Sequence, residues 1–263
     1  MEALERQSVY QLFFERLSFT AERVLMLDYD GTLAPFQPDR EHAFPYPEIP
    51  AHLAKIIACG TRVILISGRP ARELMLLSGV HPHPEIWGSH GLERLTPDGT
   101  YEAAPLPHEQ VTGLQKAAEV LKTEVPENCI EMKPGGVAVH WRGLNTQDVE
   151  AIRGKVLERW MPLLSEYPLN LQEFDGGLEL RIPGMNKGRA VKTILGESDA
   201  NAAFAYLGDD VTDEDAFQVL KGKGLTALVR SEFRSTNADI WLRPPDELTQ
   251  FLEEWVRACG GQA

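Results

Sequence analysis

The run Val24-Leu25-Met26-Leu27 is continuously apolar and stops at Asp28-Tyr29-Asp30-Gly31-Thr32. A strand of that kind is buried on both faces, as in parallel sheets covered by helices on either side. It delivers the residues that follow it to the carboxyl end of the sheet, where open α/β sheets bind ligands. Two further runs repeat the pattern. Val63-Ile64-Leu65-Ile66 ends at Ser67-Gly68-Arg69, and Ala203–Leu207 ends at Gly208-Asp209-Asp210. Helical patterns lie near 48–59, from Pro70, across 187–195, 213–220 and 246–258, with an amphipathic helix over 2–19. Short strands are expected at 85–87, 225–229 and near 240–242. This alternation predicts an α/β protein with a doubly wound parallel-sheet (Rossmann-like) core.

Between about Pro107 and Arg181 the grammar changes. A helix over 109–122 precedes two alternating strands joined by Lys133-Pro134-Gly135-Gly136, and a helix over 146–160 follows. Two more strand-like runs, Asn170–Phe174 and Leu178–Ile182, flank Asp175-Gly176-Gly177. This αββαββ order predicts a small antiparallel sheet with helices on one face, an inserted α+β cap domain. The expected division is core 1–106, cap 107–182 and core 183–263. If Pro134-Gly135 centres the first hairpin, Glu131 opposes Ala138, and Glu131, Lys133, His140 and Arg142 share one face. The other face carries Ile130, Met132, Val137, Val139 and Trp141, ready to cover the cap helices. Glu179 and Arg181 alternate with Leu178, Leu180 and Ile182 in the same way.

A formal net charge of −13 disfavours nucleic acid and anionic membranes as partners. An anionic substrate then has to be drawn by a local basic cluster or a metal. No apolar stretch approaches the ~20 residues of a membrane helix. The first residues lack the basic start and apolar core of a signal peptide. Cys59, Cys129 and Cys259 are odd in number, far apart and without a CxxC pair. The expectation is a reducing compartment, the cytoplasm, and neither a disulfide framework nor a zinc site.

Four polar signals stand at the ends of core elements: Asp28 with Asp30, Ser67, Lys187, and Asp209 with Asp210 and Asp213. Residues two apart on a strand face one side, so Asp28 and Asp30 are expected together. Adjacent carboxylates repel unless they share a proton or a cation sits between them. Among cations with oxygen ligands, Mg²⁺ is the first choice. Gly31 permits the turn, and Thr32 can hydrogen-bond the carboxylates into place. Each signal also has a plainer reading: a solvated turn, a serine helix cap, a solvated lysine, acids favouring a helix dipole. Their convergence on one sheet edge favours a site.

Together these motifs resemble the haloacid dehalogenase-like phosphatase superfamily. They read Leu27-Asp28-Tyr29-Asp30-Gly31-Thr32, Ile66-Ser67-Gly68-Arg69, Asn186-Lys187-Gly188 and Gly208-Asp209-Asp210-Val211-Thr212-Asp213-Glu214-Asp215. An insertion between the second and third motifs is similar to the type-2 cap. The resemblance implies Asp28 as nucleophile, Asp30 as the proton carrier, and Ser67 and Lys187 as holders of the phosphoryl oxygens. It implies Mg²⁺ bound by the Asp28 carboxylate, the Asp30 backbone carbonyl and Asp209. Asp210 and Asp213 would support the metal site or orient Lys187.

Within that superfamily, Gly88-Ser89-His90-Gly91-Leu92-Glu93 and the cap pattern Glu131-x-Lys133 with His140-Trp141-Arg142 and Glu179 resemble the trehalose-6-phosphate phosphatase family. That resemblance implies sugar recognition by Glu131, Lys133 and Glu179, with Arg142, His90 and Gly91 as further candidates and Arg69 at the pocket mouth. The expected partner is a small sugar phosphate, with no nucleic acid and no membrane, and the expected state is a monomer. Other readings are a phosphatase of glucosylglycerol, glycosyl phosphoglycerate or sucrose phosphate, a phospho-accepting domain, or a sugar-phosphate sensor. A glycerate carboxylate would call for an extra basic residue where Glu131 and Glu179 stand, and a receiver-type switch would not need a cap.

Overall fold

The computed structural model describes residues 3–37, 39–174 and 176–261. Glu2, expected in the first helix, and Asp175, expected in the last cap turn, lie outside the described residues. In chain order the elements are α1 (Ala3–Phe19), β1 (Arg23–Leu27), α2 (Ile49–Ala58), β2 (Arg62–Ile66), α3 (Ala71–Ser78), β3 (Glu85–Gly88), β4 (Glu93–Leu95) and β5 (Tyr101–Ala103). Then come α4 (His108–Glu119), β6 (Ile130–Lys133), β7 (Gly136–His140), α5 (Thr146–Trp160), α6 (Leu163–Glu166), β8 (Asn170–Phe174) and β9 (Gly177–Arg181). The chain finishes with α7 (Lys187–Glu197), β10 (Ala203–Gly208), α8 (Glu214–Leu220), β11 (Leu225–Val229), β12 (Ile240–Leu242) and α9 (Asp246–Ala258).

The chain divides into two compact units, 1–102 with 186–263, and 103–185. These boundaries lie a few residues outside those expected at 106/107 and 182/183. The reason is packing: Leu106 and Met185, assigned by sequence to the core, lie against the apolar cluster of the insertion.

In the first unit the sheet order is β12-β11-β10-β1-β2-β3-β4-β5. The strands from β12 to β3 are parallel to their neighbours, and β4 runs antiparallel to β3. The chain winds outward one way from β1 to β3 and the other way from β10 to β12. The direction reverses between β1 and β10, where Leu27 pairs with Leu207, so Asp28 and Asp209 emerge side by side at the switch point.

Alternation along the strands feeds two separate cores. Leu25, Leu27, Val63, Leu65, Ala205 and Leu207 pack with Leu17, Leu53, Phe251 and Trp255. Val24, Met26, Ile64, Ile66, Phe204 and Tyr206 pack with Ala190, Ile194, Phe217 and Leu220 of α7 and α8. The α9 residues Leu248, Phe251, Leu252, Trp255 and Val256 are fully buried and recur at the spacing of one helix face. Trp255 also donates its Nε1–H to Thr61 Oγ1 at 3.0 Å.

The β4–β5 extension was not foreseen, because three-residue strands carry no readable alternation. It is tied down by charge. Arg62 and Arg94 each donate to Glu85 at 2.9 Å, and both reach Glu197 at the end of α7, at 2.8 and 2.7 Å. Burial pushes the Glu197 carboxyl up, but Arg94 and Arg62 together bring it below its usual 4.5. A depressed carboxyl contributes stability above its unfolded value and loses it as pH falls through its folded value. Glu197→Gln should therefore melt below the unmodified protein at neutral pH, and the gap should close as pH falls through the depressed folded-state value.

In the second unit four antiparallel strands run in the order β6-β7-β9-β8. Glu131 pairs with Ala138, as the hairpin argument requires, and Ala138 pairs on its other side with Glu179. Val137, Val139, Leu178 and Leu180 pack with Leu114 and Ala117 of α4, Leu121 in the turn after it, and Val156 and Trp160 of α5. Trp160 donates its Nε1–H to the Ala117 carbonyl at 3.0 Å, joining the two helices. Met132, expected in this core, is instead 52% exposed, because it lies on the edge strand β6. Among the described residues, no helix is long and apolar enough to cross a membrane.

Candidate active site

Five side chains converge beyond the ends of β1 and β10. Lys187, the first residue of α7, donates from Nζ to Asp28 Oδ1 at 2.6 Å and to Asp213 Oδ1 at 2.7 Å. Asn186 sets that helix start by accepting from the Arg189 N–H at 2.9 Å. Thr32 Oγ1 donates to the other Asp28 oxygen at 3.1 Å. Asp28, Lys187, Asp209 and Asp213 are each at most 3% exposed. Oxygens of Asp28, Asp209 and Asp213 lie within 4.8 Å of one another.

The three carboxylates do not have equal freedom. Asp213 accepts from Lys187 and from the Tyr206 hydroxyl on one oxygen, the latter at 2.5 Å. Its other oxygen accepts the Asp209 and Asp210 backbone N–H groups at 3.1 and 3.0 Å. Four donors saturate it, so Asp213 holds Lys187 in place. Asp209 Oδ2, by contrast, is buried and lacks a hydrogen-bond partner among the described residues. A side chain at Gly31 would fill the space beside it, since an added Cβ would lie 2.3 Å from that oxygen.

Charge makes the same point. Burial pushes the Asp28 carboxyl up to about 7, with Lys187 pulling it down and Asp213 and Asp30 adding to the rise. Burial, then the charges of Asp28 and Asp213, push Asp209 well above the carboxylate range. Burial lowers Lys187, but Asp213 and Asp28 more than offset that and hold it protonated. One ammonium among three buried carboxylates leaves negative charge uncompensated. An orphaned oxygen, a cradle kept open by glycine and an all-oxygen donor set fit a hard divalent cation.

Asp30 does not join this group. The strand ends at Leu27, and Gly31 turns the chain with φ +86°, so strand alternation does not extend to Asp30. Its two oxygens instead accept from Arg69 Nε and Nη2 at 2.7 and 2.8 Å. Arg69, expected at the surface or a pocket mouth, is buried. Asp210 accepts from the Val211 N–H at 2.7 Å and caps the short turn 211–213, so Asp213 is the acid that orients Lys187.

Ser67 follows β2 and is buried. Its loop is clamped from Gly88–Gly91: the His90 N–H donates to the Ser67 carbonyl at 2.9 Å and the Ser89 N–H to the Arg69 carbonyl at 2.8 Å. Ser89 and His90 hold left-handed backbone, φ 48° and 57°, a conformation that costs of order 1–3 kcal/mol in non-glycine residues. Ser89 Oγ donates to Glu93 at 2.6 Å, and Glu93 also accepts from the Ala71 N–H that opens α3. The His90 ring lies over Gly68, where an added Cβ would be 2.7 Å from Nε2. Gly91 lets α7 approach, its would-be Cβ being 3.1 Å from that of Ala190.

On the second unit, the face predicted to be polar is polar. Lys133 Nζ lies 2.9 Å from Glu179 and 3.9 Å from Glu131, while His140 Nε2 lies 2.8 Å from Glu131. The Arg142 guanidinium packs over Gly176. Sequence reasoning missed Tyr206 and Glu73. Tyr206 is a single polar atom inside an apolar strand. Glu73 has a readable signal, four residues beyond Arg69 on a helix start.

Comparison with known proteins bears on this arrangement. The trehalose-phosphatase family model matches residues 26–241. The chain is 30% identical to the probable trehalose-phosphate phosphatase H of Arabidopsis thaliana, over 98% of this chain and 80% of that one. It is 30% identical to trehalose-phosphate phosphatase B of the same plant, over 91% and 68% respectively. Among solved structures, the C-terminal domain of C. albicans trehalose-6-phosphate phosphatase superposes with a TM-score of 0.79. That superposition covers 96% of this chain and 97% of that one at 20% identity, and shows the common fold. The chain belongs to the trehalose-phosphatase family, a family of phosphoric monoester hydrolases.

Proposed function

We propose that this chain hydrolyses trehalose 6-phosphate to trehalose and phosphate through an aspartyl-phosphate on Asp28. The observation that carries the reading is the buried Asp28–Lys187–Asp213 chain beside the unpartnered Asp209 oxygen, in a member of this family. An Asp28 oxygen attacks phosphorus in line, and the bond to the sugar oxygen breaks. Asp30 gives its proton to the departing oxygen, then takes one from the water that attacks the aspartyl-phosphate. That second attack breaks the bond between phosphorus and Asp28 and restores the carboxylate. Lys187 and Ser67 hold equatorial phosphoryl oxygens, and Lys187 neutralises charge there. Asp28, Asp209 and the Asp30 carbonyl are the groups that would hold Mg²⁺, which when bound polarises the phosphoryl group and offsets its charge.

Sugar selection belongs in this reading to Glu131, Lys133 and Glu179, with Arg142, His90 and Gly91 as further contacts and Asp210 as support near the metal. The acid–base mixture on one sheet face supports it, because such a face satisfies many hydroxyls at once. A cytoplasmic location is part of the same reading, supported by the three free thiols.

The test is phosphate release from a panel of trehalose, sucrose, glucosylglycerol and glucosylglycerate phosphates. Trehalose 6-phosphate should exceed the others in kcat/KM by on the order of 100-fold. Glu131→Ala and Glu179→Gln should each lower kcat/KM for trehalose 6-phosphate by on the order of 10–100-fold. Turnover of an aryl phosphate without the sugar should barely change. Equal losses on both substrates would contradict the assignment of the sugar to these residues.

A further inference from the structure

Both oxygens of Asp30 are held by Arg69, through Nε at 2.7 Å and Nη2 at 2.8 Å. The third arm of the guanidinium, Nη1, donates to Glu73 Oε1 and to the Arg40 carbonyl, the latter at 2.8 Å. The Arg69 side chain is only 3% exposed, while those of Asp30 and Glu73 are 30% and 36% exposed. The guanidinium also lies over the Tyr29 ring, 5.9 Å from its centroid. Two carboxylates from different segments thus share one buried cation. Asp30 comes from the turn after β1, and Glu73 from the first turn of α3.

A carboxylate clamped through both oxygens cannot present one to a leaving group without giving up part of the clamp. If Asp30 were the sole counter-ion, its departure would strand a buried guanidinium, which is strongly disfavoured. Glu73 changes that balance, since it and the Arg40 carbonyl stay on Arg69 when Asp30 turns away. Its side chain is one helical turn beyond Arg69, so it needs no rearrangement to do so.

We propose that Glu73 is a positioning residue for the phosphatase reaction: it retains Arg69 and thereby releases Asp30, which takes up a proton from solvent once free of the guanidinium and gives that proton to the leaving oxygen. The proposal rests on the reading of Asp30 as proton carrier, and its effect falls on leaving-group departure. A sugar alkoxide needs a proton to leave. A p-nitrophenolate does not. The ratio of kcat/KM for the two substrates therefore reports the function of Asp30 apart from general damage.

Glu73→Gln should lower kcat/KM for trehalose 6-phosphate by on the order of 10-fold, and that for p-nitrophenyl phosphate by less than about 2-fold. Glu73→Asp, which keeps the charge, should recover most of the loss. Asp30→Asn should show the same selectivity with a larger effect. Equal losses on both substrates in Glu73→Gln, or no loss on either, overturn the role of Glu73. Absence of selectivity in Asp30→Asn overturns the proton-carrier reading beneath it, and the proposal with it.

Discussion

Replacing Asp28 with asparagine should abolish turnover, lowering kcat by on the order of 10⁴-fold or more, while leaving the protein folded. The amide has no charged oxygen with which to attack phosphorus, and the reaction has no substitute nucleophile at that position. Its oxygen can still accept from Lys187 or Thr32, so local geometry survives. Stability should move the opposite way from activity. Burial and neighbouring acids push the Asp28 carboxyl up to about 7, which is a statement that its charge is disfavoured where it sits. Removing that charge relieves Asp209 and Asp213, and the melting temperature should hold or rise. Phosphate-release assays and a thermal melt check both halves.

Lys187→Met should do more damage to the fold. It strips the one ammonium from three carboxylates that lie within 4.8 Å of one another. Breaking a buried ion pair by removing one partner costs about 3–5 kcal/mol. For a chain of this size that is a loss on the order of 10 °C in melting temperature. Turnover should fall by on the order of 10²–10³-fold, as for the loss of one charge-stabilising donor. Mg²⁺ should raise the melting temperature of this variant more than that of the unmodified protein. A cation binding between the carboxylates takes over part of the charge compensation that the lysine supplied. Equal Mg²⁺ responses in the two proteins would contradict the placement of the metal among Asp28 and Asp209.

The sheet was legible because its strands are buried on both faces. Val24–Leu27, Val63–Ile66 and Ala203–Leu207 cannot be mistaken for half-exposed strands, and each feeds alternate residues into two cores. The cap hairpin was legible through Pro134-Gly135, which fixed its register. What failed was local. Strand alternation carried Asp30 onto the side of Asp28, but the strand ends one residue before Asp28 and the turn re-aims Asp30 toward Arg69. Met132 obeys the alternation and still faces solvent, because a period says which side a residue is on and not whether a helix covers it. Asp210 and Asp213 could not be ranked from sequence, since both are acids heading a helix. Only the four hydrogen bonds to Asp213 separate them. Tyr206 was hidden for a related reason: its ring belongs to the apolar core, and only its hydroxyl reaches Asp213.

The central claim is that Asp28 is phosphorylated by trehalose 6-phosphate in the course of turnover. Acid-quenched single-turnover samples, digested and analysed by mass spectrometry, test it most directly. The account predicts the mass of one phosphoryl group on the peptide carrying Asp28, appearing before free phosphate and absent from Asp28→Asn. Free phosphate released at an undiminished rate by Asp28→Asn, with no phosphorylated peptide in the unmodified protein, would contradict it.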